Sequence, residues 1–297
     1  MRTLLVIGAL ALDRPIWLGG PLQSGGRLKA RSLAGGLEGR LGGGAANAGC
    51  ALRAAGHTVL IASSLAEDDD GAWVRNRAFE AGLDLARVGA RPGTSGRTLV
   101  LLEPSGERTI IGLDGAVSGA PPTLDPPSRH PGPPPDGVFV RSPFRGAAEW
   151  ARESAGPVIL HWPAPAYDGE ADVVVASADD LPEGLGESPF ATTAGLGERL
   201  AWVVVTHGAA GAVAHGRDGA RLAARVPPVV TRDATGAGDV FAAGLLDALA
   251  AGAGMEQALG HACAWGAAAA GLEGSAPIDA PPGTFSPWSA EAFAQRA

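Results

Sequence analysis

Short, unbroken apolar runs recur along this chain at residues 4–8, 59–62, 138–140, 158–160, 173–175 and 203–205. Each is too brief for a helix and lacks polar alternation, so it reads as a strand buried on both faces, the habit of parallel sheets covered by helices. Helical patterns lie between them. Residues 45–55 form a small-residue helix closed by Gly56, residues 73–81 an amphipathic one with Gly82 as its stop, and residues 255–271 a further helix. Strand and helix in alternation mark a layered α/β domain.

With 297 residues, 46% of them hydrophobic, the chain can build one large core or two small ones. Eight prolines crowd residues 121–135, too many for a helix or a central strand. The alternation resumes at once afterwards, so the stretch reads as an extended surface loop and not a linker, and one domain over residues 1–297 is expected. Two segments differ in kind. Residues 18–41 are glycine-rich, and the strand-like residues 97–102 and 107–111 flank Pro104-Ser105-Gly106, a hairpin turn. A small antiparallel sheet drawn from about 14–41 and 95–112 is expected to form a lid beside the main body.

Acidic side chains outnumber basic ones by 31 to 23, a net charge of -8, which lacks the basic footprint of a protein that binds nucleic acid. An anionic ligand must therefore be held by local features. Cys50 and Cys263 stand far apart, in no metal-ligand spacing, and suit a reducing compartment. The opening apolar run is too short for a signal core and no stretch offers the roughly 18 apolar residues of a membrane span. A cytoplasmic protein with no membrane partner is expected.

The most informative segment is Asp233-Ala234-Thr235-Gly236-Ala237-Gly238-Asp239, which opens the long apolar helix of residues 240–249. A Gly-Ala-Gly turn entering a helix leaves backbone N–H groups unpaired and pointing together, an anion site strengthened by the helix dipole. Asp239, in the first turn, stands where a hydroxyl would meet a bound phosphate, which is the place of a general base. Read as structure alone, Gly236 and Gly238 permit a tight turn and Asp239 caps a helix.

The whole string resembles the signature of the ribokinase (PfkB) carbohydrate kinase family, Asp-Thr-x-Gly-Ala-Gly-Asp, with Ala234 in place of one threonine. The resemblance extends over nearly the whole chain. It implies a ribokinase-like three-layer sandwich with a central, mostly parallel sheet and a small β-sheet lid. It also implies ATP-dependent phosphorylation of a hydroxyl on a sugar or sugar-like acceptor, with Mg2+ on the donor phosphates and, in some members, a homodimer formed through the lid. Asp239 matches the catalytic base; Gly236, Ala237 and Gly238 match the anion hole. Asp233 and Thr235 match positions that in some members help hold a monovalent cation such as K+.

On the acceptor side, Leu41-Gly42-Gly43-Gly44-Ala45-Ala46-Asn47 is a glycine turn entering a helix with an amide one turn inside. It is similar to the family's amino-terminal signature, which implies that Gly42, Gly43 and Asn47 contact the sugar. Asp13, just past the first strand, matches an aspartate that accepts two sugar hydroxyls, and ligands of open α/β sheets gather at such strand ends. Arg97 and Arg141 are each either a solvated surface charge or a selector of an anionic substituent, such as a carboxylate, sulfonate or existing phosphate. Arg141 stands where ribokinase itself carries an acidic sugar ligand.

On the nucleotide side, Thr206-His207-Gly208-Ala209-Ala210-Gly211 is similar to the family's T-x-G-x-x-G segment, making Thr206, Gly208 and Gly211 expected contacts of ATP. Ser177 and Asp180 stand where the family usually carries N-x-x-E, which orders magnesium-bound water; Asp180 keeps a carboxylate and Ser177 only a hydroxyl. Cys263 falls near the expected adenine site, where a small buried hydrophobe is the plain alternative, and Gly274-Ser275-Ala276-Pro277 is expected to close that side. Two rival functions stay open: a nucleoside kinase of the same superfamily, for which Trp17 is the candidate base-stacking aromatic, and a catalytically weak ligand-binding sensor, for which the altered 177–180 segment argues.

Overall fold

The computed structural model describes residues 1–32, 39–105, 108–113, 122–142, 144–164, 167–181, 189–274 and 276–291. Residues 33–38, Gly106, Glu107, Pro121 and Ser275, which figure in the expectations above, lie outside the described residues. The chain begins with β1 (Thr3–Ile7), β2 (Ala11–Leu18), β3 (Ala30–Ser32), β4 (Arg40–Gly42), α1 (Gly44–Ala54), β5 (Thr58–Ala66) and α2 (Asp69–Glu80). It continues through β6 (Asp84–Arg91), β7 (Arg97–Leu102), β8 (Arg108–Gly112), β9 (Gly137–Val140), α3 (Ala147–Arg152), β10 (Val158–His161) and β11 (Val173–Ser177). After α4 (Pro189–Thr192) come β12 (Trp202–Thr206), β13 (Ala212–Gly216), β14 (Arg221–Ala224), α5 (Ala237–Ala250) and α6 (Met255–Ala270).

Among the described residues nine strands make the main sheet, in the order β14-β13-β12-β11-β10-β9-β1-β5-β6. The strands from β12 to β6 run parallel, and β13 and β14 close one edge antiparallel. Because side chains alternate across a strand, each apolar run feeds two cores. Leu4, Val6, Phe139 and Ile159 pack with α1, α5 and α6. Leu5, Ile7, Val138, Val140 and Leu160 pack with Ala147, Ala148 and Trp150 of α3 on the other face. The result is the expected three layers. Helix α5 is buried from Asp239 through Ala248, between α1 and α6, which is why its sequence is apolar all round. Among the described residues no helix is long and apolar enough to cross a membrane.

The smaller sheet runs β3-β2-β7-β8, with β4 also paired to β2. Its pairs β2–β3, β2–β4 and β7–β8 are antiparallel as expected, but β2 and β7 run parallel. Both leave the carboxyl ends of parallel main-sheet strands, β1 and β6, and so travel the same way. Strand β2 also begins earlier than expected and takes in Asp13, since Pro15 and the charged pair Asp13-Arg14 hid its strand pattern in the sequence.

Candidate active site

The sheet order arranges a row of polar residues along the carboxyl ends of adjacent strands: Arg141 after β9, His161 at the end of β10, Ser177 at the end of β11 and Thr206 at the end of β12. Such ends are where open α/β sheets bind ligands. Above the β9 and β10 end of this row lies the start of α5. Gly236 takes a left-handed backbone (φ 79°) as its cap, a conformation costly for other residues. The Ala237 amide turns back to the Ala234 carbonyl at 3.2 Å, while the amides of Gly236, Gly238 and Asp239 donate to no described residue. A Cβ placed on Gly238 would meet nothing within 4 Å, so the turn faces open space.

Asp239 is buried, 6% exposed. One carboxylate oxygen accepts the Asn47 Nδ2 amide from α1 at 2.7 Å; the other is bonded and ion-paired to Arg141 Nε. Burial alone would raise the Asp239 carboxyl, but the Arg141 charge and the Asn47 bond help to outweigh it, holding the group below the usual carboxylate range and ionised at neutral pH. Burial, then the Arg141 charge, pushes His161 down to about 4 against the pull of Asp239, so its imidazole is neutral at pH 7. Asn47 Oδ1 and His161 Nδ1 are buried with no partner among the described residues. A held carboxylate, open amides and these two groups can together take a proton from a hydroxyl and steady an anion beside it.

The smaller sheet supplies the facing residues. Asp13, 5% exposed, leans on Gly42, where a Cβ would lie 2.0 Å from Asp13 Oδ2. Gly43 caps α1 with a positive φ of 87° that favours glycine. Arg97 does not join this group: it is half exposed and paired with Asp70 of α2, because its strand position turns it toward that helix. Asp233, 2% exposed, accepts Arg40 Nη1 at 2.8 Å and the Thr235 amide at 2.9 Å. Burial would raise its carboxyl, but Arg40 and Thr235 outweigh this and hold it low. Thr235 Oγ1 is buried without a partner among the described residues.

Toward the other end of the row, Thr206 Oγ1 donates to the Ala176 carbonyl at 3.3 Å and Ser177 Oγ accepts the Asp179 amide at 3.4 Å. Gly208 (φ 54°) has open space where a Cβ would stand, and Asp180 is exposed. Gly211 is held by packing instead: a Cβ there would lie 2.1 Å from the Ala224 carbonyl of β14. Cys263 departs from the expected nucleotide contact. It is 1% exposed, its thiol turned to the Ala224 carbonyl and pushed up to about 11 by burial, so it packs as a small hydrophobe between α6 and β14. Gly274 (φ 106°) follows α6. Among the described residues no cluster of three or more His, Cys, Asp or Glu could hold a metal by itself. A cavity of about 390 Å3 lies at the opposite, amino ends of β10–β12, lined by Asp172, Arg199 and Trp202, and shares no residue with this site.

Two residues of the site escaped the sequence reading. His161 ends the apolar run 158–160, and a polar residue closing a buried strand is its signal. Arg40, one residue ahead of Leu41-Gly42, gave none.

Known proteins share the fold and part of the sequence of this chain. Residues 151–281 match the model of the pfkB family carbohydrate kinases. An ATP-dependent ribose-1-phosphate kinase of Halopiger xanaduensis is 31% identical over 248 residues, covering 79% of this chain and 81% of that protein. The crystal structure of a ribokinase from Thermotoga maritima superposes with a TM-score of 0.73 at 18% identity, over 99% of this chain and all of that one. A Burkholderia thailandensis nucleoside kinase in complex with inosine superposes with a TM-score of 0.70 at 19% identity, over 93% of each chain. Fold and sequence together place this chain in the pfkB family of carbohydrate kinases, and it is a kinase.

Proposed function

We propose that this kinase transfers the terminal phosphoryl group of ATP to a hydroxyl of a sugar derivative that already carries an anionic group, a sugar phosphate of the kind named for the Halopiger relative. The reading rests on the pairing of Arg141 with Asp239. A neutral sugar offers that guanidinium hydroxyl acceptors but no charge, and separating the pair would leave the buried Asp239 carboxylate uncompensated. An anionic substituent replaces the carboxylate as the partner of Arg141 and frees one Asp239 oxygen for the acceptor hydroxyl.

In this scheme Asp13, Gly42, Gly43 and Asn47 hold the acceptor, and His161 adds a neutral ring beside it. Asp239 takes the hydroxyl proton as the hydroxyl oxygen bonds to the terminal phosphorus; the bond from that phosphorus to the bridging oxygen breaks, and ADP leaves with the electron pair. The Gly236, Gly238 and Asp239 amides meet the charge on the transferring group. Thr206, Gly208, Ser177 and Gly274 border the nucleotide, with Gly211 shaping the turn. Asp180 and Ser177 are hard oxygen donors that fit Mg2+ held largely through waters, and the ion, when bound, neutralises donor phosphate charge. Asp233 and Thr235 do not fit a monovalent cation, because Arg40 already occupies the Asp233 carboxylate.

ADP release measured with ribose, ribose 1-phosphate, ribose 5-phosphate, sugar acids and nucleosides tests the reading, with the product identified by mass spectrometry. The phosphorylated sugars are expected to dominate in kcat/KM. Asp239→Asn is expected to fold and to lose about 10²–10⁴-fold in kcat, the usual weight of general base catalysis. A neutral sugar or nucleoside as the best acceptor, or wild-type turnover in Asp239→Asn, would overturn it.

A further inference from the structure

Arg40 lies on β4, two residues before Gly42, in register with Asp13 of β2. From there it reaches the loop that opens α5, where Nη1 donates to Asp233 Oδ2 at 2.8 Å. The second Asp233 oxygen is taken by the Thr235 amide, so the loop leading to Gly236 is tied to the smaller sheet through one buried carboxylate. The same guanidinium approaches the loop after α6, since a Cβ on Gly274 would stand 3.7 Å from Nη1. Its Nε and Nη2 are also buried, with no partner among the described residues. A fixed positive charge therefore sits between the two loops that flank the open turn. A second cation sharing Asp233 would stand within a few ångströms of the guanidinium, where like charges repel strongly.

We infer that Arg40 is the resident cation of this corner: through Asp233 it positions the Gly236–Gly238 turn for phosphoryl transfer, so the enzyme needs no added monovalent ion. The inference rests on reading that turn as the anion hole. In this scheme Arg40 is a positioning residue, acting through Asp233. Since β4 also carries Gly42 against Asp13, Arg40 links the seating of the acceptor on the smaller sheet to the aim of the turn.

Initial rates of the wild-type protein with magnesium, ATP and its best acceptor are measured in chloride salts of potassium, sodium, caesium and tetramethylammonium at one ionic strength. The rates are expected to coincide. Arg40→Ala is expected to lose about tenfold in kcat with little change in KM, less than the direct loss of an anion-hole donor. Millimolar guanidinium or potassium should restore part of that loss, and Arg40→Lys should keep most of the activity. Activation of the wild-type protein by potassium over tetramethylammonium would overturn the inference. So would wild-type kcat in Arg40→Ala, or a loss in that variant that no cation restores, which would reduce Arg40 to a structural contact. Should Arg40→Ala not fold, the wild-type salt series and Arg40→Lys decide. Should no acceptor turn over, calorimetry of magnesium-ADP binding in the same four salts still reads the cation response: equal affinities support the inference and tightening by potassium refutes it.

Discussion

Arg141 crosses the start of α1 at Gly44, where a Cβ would lie 2.3 Å from its Cγ. The glycine turn and the arginine are therefore parts of one arrangement, though 97 residues separate them: the missing side chain at 44 is the channel through which Arg141 reaches Asp239. Gly44→Ala is expected to push Arg141 off the Asp239 carboxylate without removing its charge. The proposed preference for phosphorylated over neutral sugars, measured as the ratio of kcat/KM values, should fall by about tenfold, the weight of a displaced charge-assisted bond. An unchanged ratio would show that Arg141 reaches its place by another path.

Removing the charge itself has a consequence of known sign. Asp239 is held below the usual carboxylate range partly by Arg141, so Arg141→Gln lets burial reassert itself and raises the carboxyl. Asp239, the base proposed here, must be ionised to work, so the acid limb of the kcat/KM profile should move toward neutral pH in the variant. Arg141 also helps to hold His161 at about 4, so the imidazole rises in the variant as well, and the limb belongs to Asp239 where its shift persists in a His161→Gln background. A profile that superposes on the wild-type one would separate Arg141 from the titration of the base.

Much of this was legible in the sequence, and the part that was not has a common cause. Buried parallel strands announce themselves by apolar runs, and the turn at 236–238 by a Gly-Ala-Gly string entering a helix; both signals are local. Strand β2 was obscured because Asp13 and Pro15 interrupt its pattern, and the β13–β14 hairpin because its small residues carry little periodicity. The partners of charged groups were the least accessible. Arg40 with Asp233, and Arg141 with Asp239, join residues 193 and 98 apart, and no local rule distinguishes such arginines from half-exposed ones like Arg97. Cys263 shows the converse, a position aligned with a ligand contact that packing turned inward.

Asp180 is an exposed carboxylate three residues past the end of β11, in the segment proposed for Mg2+. Magnesium keeps most of its waters and needs few protein ligands, so Asp180→Ala should raise the Mg2+ concentration for half-maximal rate by severalfold while leaving kcat at saturating Mg2+ nearly intact. A Mg2+ titration of the initial rate reads this. No shift in the midpoint would remove Asp180 from the metal's surroundings.

Asp247 lies two turns further along α5 than Asp239 and is fully buried. It accepts bonds from His57 Nε2 and His261 Nε2, each at 2.9 Å, and from the Trp288 amide at 2.7 Å. His57 Nδ1 in turn accepts the Arg2 amide, so its hydrogen lies on Nε2, toward the carboxylate. One side chain thus fastens α5 to α6, to the loop before β5 and to the carboxyl-terminal segment. Burial would raise the Asp247 carboxyl, but the bonds from His261, His57 and Trp288 outweigh it and hold the group far below its usual range. A carboxyl depressed in the folded state stabilises the fold above its unfolded pKa, and that contribution drains away as pH falls toward the folded value. Asp247→Ala leaves three donors unpaired and should cost about 3–5 kcal/mol at neutral pH, at roughly 1–3 kcal/mol for each buried donor left without a partner. Asp247→Asn, keeping the shape and one acceptor, should cost less, and its deficit against wild type should shrink as the medium is made acidic. Denaturant unfolding at pH 7 and at successively lower pH gives both numbers, and activity per folded molecule should hold, because Asp247 touches none of the residues assigned to the reaction. A deficit that stays constant with pH would mean that the charge on Asp247 contributes nothing and only its packing matters.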